Sequence, residues 1–278
     1  MGINLQSNAK LNLGLKIESK RSDGYHNIST YMQEIDLYDE IQLSHNNKNL
    51  INLQLKGIKS PSDPSNLCYM AAQYFLEANN INSGINIMLN KRIPIGAGLG
   101  GGSSNAASVY KGLYELFDIE IYKKPMESIL STIGADIPFF INGGLQFATG
   151  FGHNLTIMSP LMKDYFFLLI YPNISISTKW AYLEYRKYLD MTRKQTKFHP
   201  LSDKVVWSLL DNDFEKVVLS TYPEIKEIKN KLIESGALFS SLSGSGSTMF
   251  GVYNSLELIR NASNLFREYQ TVEALPVY

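Results

Sequence analysis

Lys10 and Asn12 stand two residues apart in AKLNLGLKI, Ala9 to Ile17, and Asp136 lies far along the chain in GADIPFF. A lysine can favour negative charge that develops during a reaction, and a carboxylate near an attacking hydroxyl can accept its proton. Ser103 and Ser104 follow the glycines of PIGAGLGGGSSNAA, Pro94 to Ala107, and Lys91 precedes that run. Glycine at such density serves a backbone that adopts positive φ or that another group approaches closely. Where such a loop feeds a helix, its unpaired N–H groups and the helix dipole suit an anion, phosphate above all. The two serine hydroxyls add donors to phosphate or oxygen ligands to magnesium. Taken singly, each residue also has a plain reading: a solvated strand lysine, an aspartate in a turn, serine caps on a surface loop.

The elements that must position these groups show in the apolar spacing. Ala9, Leu11, Leu13, Leu15 and Ile17 alternate with Lys10, Asn12, Gly14 and Lys16, which predicts a half-buried strand with Lys10 and Asn12 neighbours on its polar face. A turn-rich loop, SKRSDGYHN, leads to a second alternating run from Ile28 to about Leu43. NLCYMAAQYFLEAN from Asn66 has helical spacing, and GINIMLNK from Gly84 alternates again, so this part is expected to be antiparallel in character. SSNAASVYKGLYELF opens a helix directly from the glycine loop, and Pro125 starts a short helix, MESILSTI, which Gly134 stops. Asp136 to Pro138 is expected to be extended, because a residue before proline is pushed out of the helical region.

Beyond a boundary expected near His153 to Asp164, YFFLLIYP reads as a buried strand, and ISISTKWAYLEYRKY as a helix capped by Thr178 or a neighbouring serine. Helical patterns follow at Lys204 to Leu210 and Pro223 to Glu234, then LFSSLSGSGSTMFGVY, a helix from Leu256 to about Tyr269 and a last strand, TVEALPV. This last part therefore alternates strands and helices.

The 278 residues carry 26 lysines and arginines against 26 acidic side chains, so no global basic field exists to hold nucleic acid or an anionic membrane. Any bound anion is met locally. The single cysteine, Cys68, excludes an internal disulfide, and no cysteine–histidine cluster offers a structural zinc site. The opening MGINLQSNAKLNLG lacks the apolar core of a signal peptide, Gln6 breaks the myristoylation pattern, and no apolar run is long enough for a bilayer. A cytoplasmic protein is expected.

Gly96, Gly98 and Gly101 satisfy the dinucleotide pattern G-x-G-x-x-G, but the strand before them alternates, Pro94 interrupts the approach, and no clear second strand ends in an acidic residue. No G-K-[ST] closes the run, so the phosphate loop of the P-loop enzymes fails as well.

Three separated stretches do resemble one family, the GHMP kinases. PIGAGLGGGSSNAA resembles its phosphate loop, SGSGSTMFG the third motif that closes over that loop, and AKLNLGLKIESKRSDGYHNI together with GADIPFF resembles the branch that phosphorylates 4-diphosphocytidyl-2-C-methyl-D-erythritol in non-mevalonate isoprenoid precursor synthesis. The resemblance implies a two-domain fold of the α+β class, with a domain like ribosomal protein S5 domain 2 over 1–155 and a ferredoxin-like domain over 156–278, and the strand and helix pattern is compatible with both. It implies a site in the cleft between them, ATP as phosphate donor and magnesium with it. By resemblance Asp136 orients or deprotonates the acceptor hydroxyl and Lys10 holds Asp136 ionised. Asn12, Tyr25, His26, Thr178 and Tyr182 meet the acceptor, the aromatic ones by stacking on its base. ATP falls to Asn66, Lys91, the third-motif residues Gly244, Ser245 and Gly246, and the backbone of Pro94, Ile95, Gly96, Ala97, Gly98, Leu99, Gly100, Gly101, Gly102, Ser103 and Ser104. Ala97 stands where the family often has glycine, and Ser245 and Ser247 where it often has threonine and alanine; both changes keep side chains small. Two other readings stay open: a GHMP kinase for another small alcohol, to which stacking aromatics would be of no use, and a ligand sensor on the same fold, which would not need Lys10 and Asp136.

Overall fold

A computed structural model describes residues 2–21, 26–120, 130–192, 198 and 204–278. The chain forms two compact units, one of Met1–Ala9, Leu37–Ile95 and Gly100–Asn142, the other of Lys10–Asp36, Gly96–Leu99 and Gly143–Tyr278. Two long strands, β1 (Gly2–Lys20) and β2 (His26–Asn46), pair with each other and pass through both.

In the first unit, β3 (Ile51–Gly57), α1 (Leu67–Ala78) and β4 (Gly84–Lys91) form a strand–helix–strand crossover, with β3 parallel to β4 and β4 antiparallel to β2 from Glu40 to Asn46. Asn66 caps α1, its side chain accepting from the Cys68 N–H at 2.9 Å. α2 (Gly101–Leu116) packs on α1, where Phe75 meets Tyr110 and Tyr114 edge to face. A one-turn helix, α3 (Phe139–Asn142), buries Phe139, Phe140 and Ile141.

In the second unit, β5 (Leu145–Thr149) pairs with β2 at Thr30–Gln33 and with β6 (Asn154–Ile157). Then come β7 (Phe166–Tyr171), α4 (Thr178–Thr192), α5 (Glu215–Thr221), α6 (Pro223–Glu234), β8 (Phe239–Leu242), β9 (Met249–Tyr253), α7 (Leu256–Ser263) and β10 (Gln270–Ala274). Their strands make an antiparallel sheet in the order β10-β7-β9-β8. Its core joins Leu168 and Ile170 to Tyr185 and Leu232 from the helices, to Phe214 and Phe266 at helix ends, and to Leu15 and Ile17 from β1.

Several expectations are corrected. β1 is buried on both faces from Ala9 to Ile17, because Lys10, Asn12 and Lys16 have protein partners in place of water. The first unit is not wholly antiparallel, since α1 carries the chain across to a parallel partner for β3, an element the sequence reading passed over. Asp136 to Pro138 is a turn. The Ile137 N–H bonds the Gly134 carbonyl and the Phe140 N–H bonds the Ile137 carbonyl, which puts Pro138 second in a turn and ahead of α3, both favoured by its fixed φ. The expected helix at Lys204 to Leu210 is one 3-10 turn, Trp207–Leu209, and the true helix, α5, starts later. The last helix ends at Ser263 and continues only as a 3-10 turn to Phe266. Of the candidate caps, Ser177 fills the place at α4, its hydroxyl accepting from the Trp180 N–H at 3.3 Å. Pro125 and the first half of MESILSTI lie outside the described residues.

Candidate active site

The glycine loop leaves β4 in the first unit and re-enters it as α2. Gly100 is the N-cap of α2 and takes a left-handed backbone, φ 69°. The N–H groups of Gly101, Gly102 and Ser103 therefore begin the helix, where no earlier turn supplies them with carbonyls, while Ser104 N–H already donates to the Gly100 carbonyl at 2.9 Å. That is the backbone geometry an anion needs. The two serines differ: Ser104 is buried and its hydroxyl lies 2.7 Å from that of Ser7, whereas Ser103 is half-buried. The Asp136 turn comes close by, since a Cβ at Gly134 would lie 4.0 Å from Ser103 Oγ; Asp136 itself is half-buried.

Lys91 does not reach outward. It is 4% exposed, paired with Asp39 at 2.5 Å and donating to Asn105 Oδ1 at 3.0 Å. Burial pushes the nearby Cys68 thiol up to about 12, with Lys91 lowering it and Asp39 raising it, so Cys68 is an inert core thiol. The Asn66 amide is likewise used locally, as the α1 cap and as donor to the Pro61 carbonyl at 2.6 Å.

In the second unit, Gly96–Leu99 lies against the third motif. Lys10, 4% exposed, donates to the Gly98 carbonyl at 2.9 Å and to Asn12 Oδ1, and Ser243 Oγ donates to the same carbonyl at 2.8 Å. The Ser243 hydroxyl also accepts from the Asn12 N–H, and Asn12 Nδ2 donates to Thr30 Oγ1 at 2.9 Å. Gly244 continues the contact, for a Cβ there would lie 3.3 Å from Asn12 Oδ1. Ser245 Oγ is 2.9 Å from Thr178 Oγ1. One helical turn further along α4, Tyr182 stacks on His26 with ring centroids 4.9 Å apart and planes 11° apart, and meets Phe214 edge to face.

The structure thus joins Lys10, Asn12, Gly98, Gly244, Ser245, Thr178, Tyr182 and His26 through one chain of contacts within the second unit. In the first it gathers Lys91, Gly101 and Ser104 beneath the start of α2. Tyr25 lies outside the described residues. Sequence reasoning missed Ser243, Thr30, Asp39, Asn105 and Ser7. Asn105 and Ser243 were visible inside the two glycine-rich stretches, but the others are single polar residues in apolar or turn surroundings, and only burial marks them.

Known proteins bear on this geometry. The GHMP kinases N terminal domain model matches residues 66–144, and the GHMP kinases C terminal model matches 201–269. A 4-diphosphocytidyl-2-C-methyl-D-erythritol kinase of Chlorobium phaeobacteroides (strain BS1) is 38% identical over 96% of this chain and 94% of its own. A crystal structure of 4-(cytidine 5'-diphospho)-2C-methyl-D-erythritol kinase superposes with a TM-score of 0.83 at 29% identity, covering 99% of this chain and 100% of that one. A homoserine kinase from Cytophaga hutchinsonii shares the fold at a TM-score of 0.73 and 16% identity, over 99% of this chain and 94% of its own.

Proposed function

The chain belongs to the GHMP kinase family, and from that premise we propose that it transfers the γ-phosphoryl group of ATP to the 2-hydroxyl of 4-diphosphocytidyl-2-C-methyl-D-erythritol. The observation that carries this reading is the 38% identity, over 96% of the chain, to a relative of that name. Features of each unit, taken separately, support it. The N–H groups of Gly101, Gly102 and Ser103 receive phosphate oxygens; Lys10 favours the negative charge that develops as the acceptor oxygen attacks; Asp136 orients the hydroxyl and accepts its proton. The new bond joins that oxygen to the γ-phosphorus, the bond to the bridging oxygen of ADP breaks, and ADP leaves. On the acceptor side, His26 and Tyr182, whose rings here stack on each other, are assigned to the cytosine, and a base stacked on an aromatic ring is worth roughly 1–3 kcal/mol. Thr178 and Asn12 add hydrogen bonds.

Among the described residues no group of three or more His, Cys, Asp and Glu side chains is placed to hold a metal ion. Magnesium carried in on the nucleotide's phosphates asks for only one or two protein oxygens. The hydroxyl of Ser103, half-buried at the start of α2, would supply one such oxygen. When bound, the ion spreads charge across the phosphates. Among the described residues no helix is long and apolar enough to cross a membrane. A cytoplasmic location, and a division near residue 155 that leaves the two family-model matches on separate sides, complete the proposal.

ADP release should be measured with this acceptor, homoserine, mevalonate and galactose in parallel. Turnover is expected with the cytidine compound; turnover of another alcohol alone would overturn the assignment. Asp136→Ala should lower kcat on the order of 100-fold or more while leaving nucleotide affinity within about twofold. Unchanged kcat would remove the role given to Asp136.

A further inference from the structure

The Asp39 carboxylate is fully buried and accepts four hydrogen bonds. Its Oδ1 accepts from the backbone N–H groups of Arg92, at 2.6 Å, and Ile93, at 2.9 Å. Its Oδ2 accepts from Lys91 Nζ, at 2.5 Å, and Asn105 Nδ2, at 2.8 Å. Arg92 and Ile93 are the residues by which the chain leaves β4 for the glycine loop, and Asn105 sits on α2 just after the loop has ended. One carboxylate therefore fastens both ends of the loop. Asn105 extends the network, accepting from Lys91 at 3.0 Å and donating to Ser7 Oγ at 2.9 Å, and Ser7 in turn meets the Ser104 hydroxyl.

Such an arrangement is not needed for stability alone. A buried ion pair seldom outperforms apolar packing, because both charges must leave water. What it supplies is direction. Four accepted bonds use the lone pairs of the carboxylate fully, and together they tie the segment Lys91–Ile93 to Asn105 on α2. The N–H groups that open α2 meet phosphate only if that helix start is held to a fraction of an ångström. Gly101 rides directly over the network, since a Cβ there would come within 3.1 Å of Lys91 Nζ.

We propose that Asp39 is the positioning residue of the phosphate loop, and that Lys91 acts through Asp39 and Asn105 rather than on the nucleotide. This rests on the kinase reading above only for the identity of the bound anion.

The test is a cycle of Asp39→Asn, Lys91→Met and the double variant. It reads the dissociation constant of a fluorescent mant-ADP together with KM for ATP, KM for the acceptor and the thermal midpoint. Each single variant should weaken mant-ADP and raise KM for ATP about tenfold, with KM for the acceptor within about twofold. The double should bind mant-ADP more tightly than Lys91→Met alone, because removing both partners leaves no uncompensated buried charge. Losses that simply multiply, or full nucleotide affinity in Asp39→Asn, would overturn the proposal. Should the single variants not fold, Ser7→Ala trims the edge of the network. It should raise KM for ATP and the mant-ADP dissociation constant about threefold at an unchanged acceptor KM, and unchanged nucleotide binding there counts against the proposal as well. Mant-ADP titration needs no acceptor, so a wild type that binds mant-ADP but fails to phosphorylate the cytidine compound sinks the substrate reading, while the mant-ADP dissociation constants and thermal midpoints of the cycle still decide this proposal.

Discussion

Gly96 and Gly98 lie two residues apart with left-handed backbones, φ 66° and 79°, but their surroundings are opposite. A Cβ at Gly96 meets nothing within 4 Å; one at Gly98 would sit 1.9 Å from the Ser243 carbonyl oxygen. Gly96→Ala should therefore cost only the left-handed conformation, about 1–2 kcal/mol in urea unfolding, with KM for ATP within about threefold. Gly98→Ala must also push the third-motif turn away, and should lose nucleotide binding in the mant-ADP titration. Equal effects of the two substitutions would show that the contact between Gly98 and Ser243 does not matter. The same pattern explains why alanine is tolerated at position 97, which lies between left-handed glycines but is not itself among the positive-φ residues. Glycine density made the loop legible in the sequence. Which glycine bears a neighbour was not legible, since Ser243 is far away along the chain.

At the scale of elements, the turn between β8 and β9 is held from outside by the four residues Asn212–Glu215. Asn212 Nδ2 donates to the Leu242 carbonyl at 2.7 Å and the Gly244 carbonyl at 2.8 Å, and its Oδ1 accepts from the Phe214 N–H at 3.0 Å. Glu215 Oε1 accepts from Ser241 Oγ and the Leu242 N–H, both at 2.9 Å, and Lys229 neutralises the carboxylate. Asn212 is buried, so Asn212→Ala strands carbonyl groups that water does not readily reach. Urea unfolding should register about 1–3 kcal/mol of lost stability. Because Gly244 belongs to the third motif, KM for ATP should rise with it; stability lost at constant KM would mean that the clamp serves only the fold. Period and punctuation found most of the elements, as at β4, α2 and α6. They failed where a partner decided the outcome. Asp136 to Pro138 reads as extended from the proline rule, but successive turn bonds into α3 outweigh it. DNDFEK was overlooked because its side chains bond to distant backbone and form no stripe.

On the scale of the whole molecule, the core under the antiparallel sheet takes Leu15 and Ile17 from a strand near the start of the chain, some 150 residues before β7. The backbone supports this as strongly as the side chains do. The Leu15 N–H donates to the Asp211 carbonyl at 2.9 Å, the Asp213 N–H to the Leu15 carbonyl at 2.8 Å, and the Ile17 N–H to Asp213 Oδ2 at 2.9 Å. Local periodicity marks β1 as a strand, but it carries no information on which core so early a strand joins. A fragment of residues 156–278 lacks those partners. Losing two buried aliphatic side chains at about 1.5–3 kcal/mol each, with the buried hydrogen bonds beside them, removes much of the roughly 5–15 kcal/mol that separates a folded domain from its unfolded chain. Calorimetry of that fragment should show no cooperative transition. In the intact chain, the amides of Leu15 and Ile17 should exchange with deuterium at the slow rate of those in β7 and β9, because they belong to one cooperative unit. A sharp transition in the fragment, or fast exchange at Leu15 beside slow exchange in β7, would mean that β1 is only an adjunct to this core and that the C-terminal stretch is self-sufficient.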